Sequence, residues 1–193
     1  MPYMLDQYDN LESARWTWWD RVFSKDECQR IIDIGEALGM EPSKVGGGED
    51  GSLDLKQRSS CHSWIDWSEE LDWIYKALAE RIEDHNKRFF GFHINGFKEA
   101  IQITKYNEGN FYNWHQDSGV TNQFRKLTMV VNLSSAEDYE GGELELFGGD
   151  GGIMSKELGR MFMFPSYEQH RARKVTKGTR YSLVAWIHGP RLV

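Results

Sequence analysis

The sequence predicts an α+β chain in which a double-stranded β-helix (jelly roll) core carries N-terminal helices packed against it. Two observations point there. Before residue 92, apolar residues recur at helical spacing in two separate segments. After it, short strand-like runs alternate with Gly and Asp turns to the end, the signature of an antiparallel array. Helices first and strands afterwards is the order of segregated layers, with the helices on one side of a sheet. The 193 residues suit one domain with a sizeable core. Residues 1–98 read as helical support and lid region, and 99–193 as the jelly-roll core that would carry any catalysis.

The elements follow in order. Arg15 to Phe23, rich in Trp, reads as a first strand. Ser24-Lys25-Asp26-Glu27 is a capping box, with Ser24 as N-cap and Glu27 at the third helical position. The helix behind it turns Cys28, Ile31, Ile32, Gly35 and Leu38 inward and ends near Gly39. Residues 41–54 are loop by composition, and the apolar-poor stretch from Ser43 to Asp54 reads as a connector or a mobile lid. It lacks the spacing of a phosphate-binding loop. Leu55 to Ile65 reads as a strand containing Arg58. Ser68 caps a second helix, with Leu71, Ile74, Tyr75, Leu78 and Ile82 on one face and an end near Phe89–Gly91. Strands are expected near 100–107, 111–117, 126–134, 143–147, 160–164, 170–176 and 180–188. Glu140-Gly141-Gly142 and Gly148 to Gly152 read as turns.

Composition excludes several classes. Net charge is −7 without a Lys/Arg run, which argues against a nucleic-acid surface and against an anionic membrane surface. Cys28 and Cys61 form no C-x-x-C pattern and read as free thiols in a reducing compartment. No leader or transmembrane-length stretch is evident, so a soluble cytoplasmic protein is expected. Oligomeric state is not legible. His62, His85 and His93 have no partner pattern and read as structural.

The chemistry converges on His115-Gln116-Asp117. In an extended strand the side-chain period is two, so an imidazole and a carboxylate leave the backbone on one face. Together they can hold two neighbouring positions on a metal ion. His170 is the candidate third ligand. Two His and one carboxylate leave coordination positions open on Fe(II). Arg180 lies ten residues after His170, and a guanidinium behind such a site can grip a dicarboxylate.

Spread over residues 99 to 188, these motifs resemble the prolyl 4-hydroxylase branch of the 2-oxoglutarate- and Fe(II)-dependent dioxygenases, the procollagen-proline 4-dioxygenase type included. The resemblance implies His115, Asp117 and His170 as iron ligands and Arg180 as the anchor of the 2-oxoglutarate 5-carboxylate. It places Tyr106, Asn132 and Ser182 beside the same cosubstrate. Asn132 stands where several members carry tyrosine, and Leu144 where some carry threonine. Glu140-Gly141-Gly142-Glu143-Leu144 matches the turn before the strand that closes the barrel. Tyr112, Arg125, Trp186, His188 and Glu99 match positions on the substrate side. The implied cofactors are Fe(II), 2-oxoglutarate and O2, with ascorbate as a reductant. The implied partner is a proline-containing peptide or protein. Phe111, Trp114, Phe162 and Phe164 are expected to shield the pocket. Two rival readings stand beside this one: the same chemistry on a free amino acid or other small molecule, and a non-catalytic jelly roll that binds a metal or sugar.

Overall fold

A computed structural model describes residues 14–45, 52–120, 122–148 and 152–191. Its first strand, β1 (Thr17–Trp19), is shorter than the Arg15–Phe23 run. Helix α1 (Lys25–Ala37) begins where the capping box requires. Ser24 Oγ accepts from the Glu27 N–H at 3.3 Å, and the Glu27 carboxylate accepts from the Ser24 N–H at 2.7 Å. Cys28, Ile31 and Gly35 are buried, whereas Leu38 is 56% exposed. Leu38 is the C-cap, past the last turn that the sheet covers. Gly39 follows at φ +88°, the left-handed position that ends a helix at little cost with glycine.

The next segment departs from the sequence reading. β2 (Glu41–Pro42) pairs with β4 (Cys61–Ile65), and β3 (Arg58–Ser59) lies in a different sheet from β4. The expected single strand over Leu55–Ile65 is therefore two strands preceded by a turn. Ser43 is buried rather than loose, and Val45 bridges Ser52. Residues 46–51, the centre of the proposed lid, lie outside the described residues. Helix α2 (Asp72–His85) starts at Leu71, which has no side-chain cap. Ser68 instead accepts from the Leu71 N–H at 3.3 Å and closes the turn before the helix. Ile74, Tyr75, Leu78 and Ile82 form the predicted buried stripe. The helix continues as one π-helical turn, Asn86–Phe90, and stops at Gly91 with φ +64°.

The remaining strands are β5 (Gly96–Phe97), β6 (Ile101–Tyr106), β7 (Phe111–His115), β8 (Arg125–Asn132), β9 (Tyr139–Gly141), β10 (Leu144–Leu146), β11 (Met161–Pro165), β12 (His170–Ala172), β13 (Val175–Gly178) and β14 (Arg180–His188). Among the described residues the large sheet runs β1-β11-β8-β14-β6-β4-β2, with β5 also on β14. A smaller sheet runs β10-β12-β7-β3, and β13 pairs with β9. Two readings change here. Residues 170–176 split into β12 and β13, and Glu140–Gly141 belongs to a strand rather than to a turn alone. Both follow from pairing distant in sequence, because β9 finds its partner only at Val175–Gly178. The turn expected at Gly148–Gly152 falls largely on residues 149–151, outside the described ones.

Period two explains how the large sheet serves both layers. In β8, Leu127, Met129 and Val131 enter the core shared with Cys28 and Ile31 of α1 and Ile74, Leu78 and Ile82 of α2. Val130, one position out of phase, packs on the opposite side with Leu144, Leu146, Phe162 and Phe164. Gly35 allows α1 its approach to β6, since a Cβ there would lie 2.5 Å from Ile103 Cδ1. The helices thus brace one face, and the other encloses a cavity with the small sheet.

Candidate metal and cosubstrate site

That cavity, about 930 Å³ in volume, is lined by His115, Asp117 and His170 together with Arg180, Tyr106, Ser182 and Tyr112. The ligand atoms of His115, Asp117 and His170 all lie within 4.8 Å of one another. His115 and His170 face each other as register partners across β7 and β12, with ring centroids 4.2 Å apart. Asp117 is not in the strand, as period two had suggested, because β7 stops at His115. Its position comes from the Asp117 N–H and Ser118 N–H, which both donate to Ser166 O at 2.9 Å. Asp117 Oδ2 then accepts from Thr128 Oγ1 at 2.7 Å.

The imidazoles are oriented by their backs. Nδ1 of His115 lies 2.8 Å from Asn113 O, and Nδ1 of His170 lies 2.9 Å from Glu168 O. A carbonyl only accepts, so Nδ1 carries the proton and each Nε2 is left for the centre. The Nε2 atoms lie 3.7 and 3.4 Å from the Asp117 carboxylate oxygens. Burial and the charge of His170 push His115 down to about 3, so it is a neutral donor at pH 7. Burial pushes His170 down, but Asp117 outweighs it and the net direction is up. Burial likewise raises Asp117, and the two imidazoles outweigh that and hold it below the usual carboxylate range. A buried carboxylate held ionised beside two imidazole Nε2 atoms is a site arranged for a cation. Two imidazoles, one carboxylate and an open cavity fit Fe(II) by donor chemistry, and the backbone and Thr128 contacts fix the donors from behind.

Arg180 is 2% exposed and, among the described residues, pairs with no carboxylate. Its Nη1 donates to Ser182 Oγ at 3.3 Å, and its guanidinium lies 5.3 Å from the Tyr106 ring centroid. Arg180 and Tyr106 are register partners on β14 and β6. A buried cation without an anion is costly unless a ligand supplies one. Gly142 lets the side chain pass, because a Cβ there would sit 3.2 Å from Arg180 Cδ.

Asn132 is not brought to the cavity. Its Nδ2 donates to Ser155 O at 3.0 Å and to Glu157 O at 3.3 Å, which tethers the loop before β11. Phe111 and Trp114 also do not line it; Trp114 packs on Phe147 and Arg171. Phe162 and Phe164 are in the core behind it, with Phe164 4.8 Å from the His170 ring. The apolar lining is instead Val130, Leu144, Ala172 and Val184.

The substrate-side positions cluster. The Arg125 guanidinium makes a bidentate pair with Glu99 and lies 3.8 Å from the Trp186 ring centroid. His188 Nε2 is 2.7 Å from Glu99 Oε1. Burial raises Glu99, but Arg125 and His188 outweigh it and keep it ionised. Tyr112 stacks on His115 at 3.5 Å. Several lining residues had no role in the sequence reading: Arg58, Gln102, Thr128 and Trp64. Arg58 lies over the Tyr112 ring at 4.6 Å and donates to Gln102 Oε1 at 3.2 Å. His62, read as structural, lines the cavity and contacts Ser43 at 3.1 Å. Nothing in the local sequence marks these residues, since each is set by pairing far along the chain.

Comparison with known proteins gives the same picture. Residues 101–188 match the sequence profile of the 2OG-Fe(II) oxygenase superfamily. A PKHD-type hydroxylase of Crocosphaera subtropica is 33% identical over 174 residues, covering 88% of this chain and 76% of that relative. A PKHD-type hydroxylase of Idiomarina loihiensis is 34% identical over 90 residues, covering 45% of this chain and 41% of the relative, so the match spans less than half of that protein. In fold, a Pseudomonas putida prolyl-4-hydroxylase superposes with a TM-score of 0.72 at 20% identity over 95% of this chain and 97% of that one. A Trichoplax adhaerens prolyl hydroxylase, solved with a hypoxia inducible factor peptide, gives 0.75 at 16% identity over 94% and 86%.

Proposed function

Because the chain belongs to the 2OG-Fe(II) oxygenase superfamily and is prolyl 4-hydroxylase-like, we propose that it hydroxylates a prolyl residue of a polypeptide. The stoichiometry is one C–H bond, one 2-oxoglutarate and one O2 giving one alcohol, succinate and CO2. The observation that carries this is the shared cavity, in which the His115–Asp117–His170 cluster and the unpaired, buried Arg180 face one space.

The roles follow from chemistry. His115, Asp117 and His170 are the proposed ligands, and the bound Fe(II) supplies the oxygen chemistry that protein side chains lack. Arg180 takes the far carboxylate of 2-oxoglutarate, with Tyr106 and Ser182 beside it. Val130, Leu144, Ala172 and Val184 exclude water from the reacting end. Tyr112, Arg125, Trp186, His188 and Glu99 orient the substrate chain, and Arg125 is held for that task by Glu99 and Trp186. Ascorbate is the proposed reductant. The chain is proposed to act as one unit, with residues 1–98 supporting a catalytic core over 99–193. Among the described residues no helix is long and apolar enough to cross a membrane. Free Cys28 and Cys61 fit the proposed cytoplasmic setting.

The test is turnover with isotopically labelled O2, Fe(II), 2-oxoglutarate and ascorbate on proline-centred peptides and, in parallel, on free amino acids. Labelled oxygen on a peptidyl proline with one equivalent of succinate supports the proposal. Label only in a free amino acid moves the reading to a small-molecule hydroxylase. No succinate with any substrate overturns it.

A further inference from the structure

We infer that Tyr139 is a positioning residue for the cosubstrate: its phenol fixes the Arg180 guanidinium that is proposed to grip the far carboxylate of 2-oxoglutarate. The inference rests on that reading of Arg180. Tyr139 is 3% exposed and does not line the metal cavity, so it acts through Arg180 rather than on the ligand. The guanidinium needs such a support. Its bond to Ser182 Oγ, at 3.3 Å, is longer than the usual N–H···O range and holds the fork loosely. Tyr106 presents a ring at 5.3 Å, and Asn132 does not reach the cavity.

The geometry ties the two side chains together. Both lie against Gly142, where a Cβ would be 3.2 Å from Arg180 Cδ and 3.3 Å from Tyr139 Cδ2. With glycine there, no side chain comes between the ring and the arginine stem. Tyr139 is also the register partner of Gly178, two residues before Arg180. The strands touch closely at that point, since a Cβ on Gly178 would lie 3.1 Å from Tyr139 Cα. The ring itself is clamped. Lys156 Nζ lies 4.0 Å from its centroid and donates to Tyr139 O at 2.9 Å and Gly141 O at 3.4 Å. Tyr106, Ala172 and Val175 complete its packing.

A phenol suits this task better than a carboxylate would. Burial raises Tyr139, the Arg180 charge and hydrogen bond oppose it, and the net direction is up, so the hydroxyl stays neutral at pH 7. Its oxygen accepts from the guanidinium, which has five N–H groups to give. An Asp or Glu in this place would hold the fork equally well but would neutralise it. A neutral acceptor orients the guanidinium and leaves its full charge for a ligand carboxylate.

The experiment is calorimetric titration of the full chain, loaded with Mn(II) so that no turnover occurs. The titrants are 2-oxoglutarate and 2-oxopentanoate, which has the same carbon chain without the far carboxylate. Wild type is compared with Tyr139→Phe, Arg180→Ala and the double variant. Phenylalanine keeps the ring and its packing, and far-ultraviolet circular dichroism reports folding. Tyr139→Phe should raise the Kd for 2-oxoglutarate by about tenfold. The Kd values for 2-oxopentanoate and for Mn(II) should stay constant. In the Arg180→Ala background the same change should add nothing, because Tyr139 acts through the guanidinium. If Arg180→Ala weakens 2-oxoglutarate but Tyr139→Phe does not, the inference fails and the reading of Arg180 stands. If Tyr139→Phe weakens both keto acids equally, or its effect adds in full to that of Arg180→Ala, its role is structural and the inference also fails. If Arg180→Ala leaves 2-oxoglutarate binding unchanged, the reading of Arg180 falls and takes the inference with it.

Discussion

At the scale of single residues, the proposed site separates the charge assigned to the cosubstrate, on Arg180, from the charge assigned to the metal, on Asp117. Arg180→Ala removes a buried cation whose proposed anion is the ligand. Losing one partner of such a pair costs about 3–5 kcal/mol, which at roughly 1.4 kcal/mol per tenfold raises the KM for 2-oxoglutarate by two orders of magnitude or more. Iron affinity should stay constant, because Arg180 is not among the proposed ligands. Arg180→Lys should lose less, since a charge remains without the fork. An unchanged KM in the alanine variant, titrated at saturating Fe(II), would mean the cosubstrate is gripped elsewhere. Thr128→Val tests the opposite half. It keeps the shape but leaves Asp117 Oδ2 without its 2.7 Å donor, and such supports are worth roughly 10–100-fold in metal affinity. Chelator competition should show weaker metal binding, with the 2-oxoglutarate KM moving little at saturating metal. The clustering of His115, Asp117 and His170 near Arg180 was legible because their order and spacing are local signals. Thr128 and Arg58 were not, because only sheet pairing brings them to the cavity. Asn132 was misplaced for the same reason: its partners Ser155 and Glu157 lie in a loop whose path the sequence does not disclose.

Elements were legible where a local rule governs them. The capping box set the start of α1, and removing its hydroxyl with Ser24→Ala should cost about 1 kcal/mol, read from chemical denaturation, with no change in KM. Elements governed by distant partners were not legible. The two glycines at 141–142 look like a plain turn, yet Tyr139–Gly141 is a strand paired with β13. Gly142 follows at φ +67°, where a Cβ would lie 2.8 Å from Val175 Cγ2 and 3.2 Å from Arg180 Cδ. Gly142→Ala should therefore destabilise the fold by about 1–2 kcal/mol from the left-handed backbone alone. It should also raise the KM for 2-oxoglutarate by displacing Arg180, an effect that Ser24→Ala lacks. A Gly142→Ala protein with normal KM would show that the strand pair does not position the guanidinium. The start of α2 escaped prediction because Leu71 offers no capping side chain, so Ser68 drew the boundary three residues early.

For the whole molecule, the fold class was legible because two hydrophobic periods occupy two halves of the chain, and a sheet buried on both faces must meet helices on one of them. A buried contact between α2 and β1, the edge strand of the large sheet, also sets how stability responds to pH. His85, at the end of α2, lies 2.7 Å from Thr17 Oγ1 on β1 through its Nδ1. Its ring packs on Trp19 and Phe89 at 5.2 and 5.4 Å. Burial lowers its pKa, Asp84 opposes this and Arg88 adds to it, and the net direction is down. The unfolded chain has an ordinary histidine near 6.5, approximately. Above that pH both states are neutral and the contact contributes in full. As pH falls below it, the unfolded state binds a proton that the folded state refuses, so stability drops by up to about 1.4 kcal/mol per pH unit until the folded pKa is reached. His85→Asn keeps a hydrogen-bonding group but cannot titrate. At pH 7 the wild type should be the more stable of the two, and the gap should narrow as pH is lowered to about 5, where the His85 penalty is growing. Comparing the two proteins cancels His62, His115, Asp117 and His170, which titrate in both. Thermal or denaturant unfolding across that range decides the point. A gap that is constant with pH would mean that His85 takes up its proton in the folded state, with β1 and α2 parting to admit it.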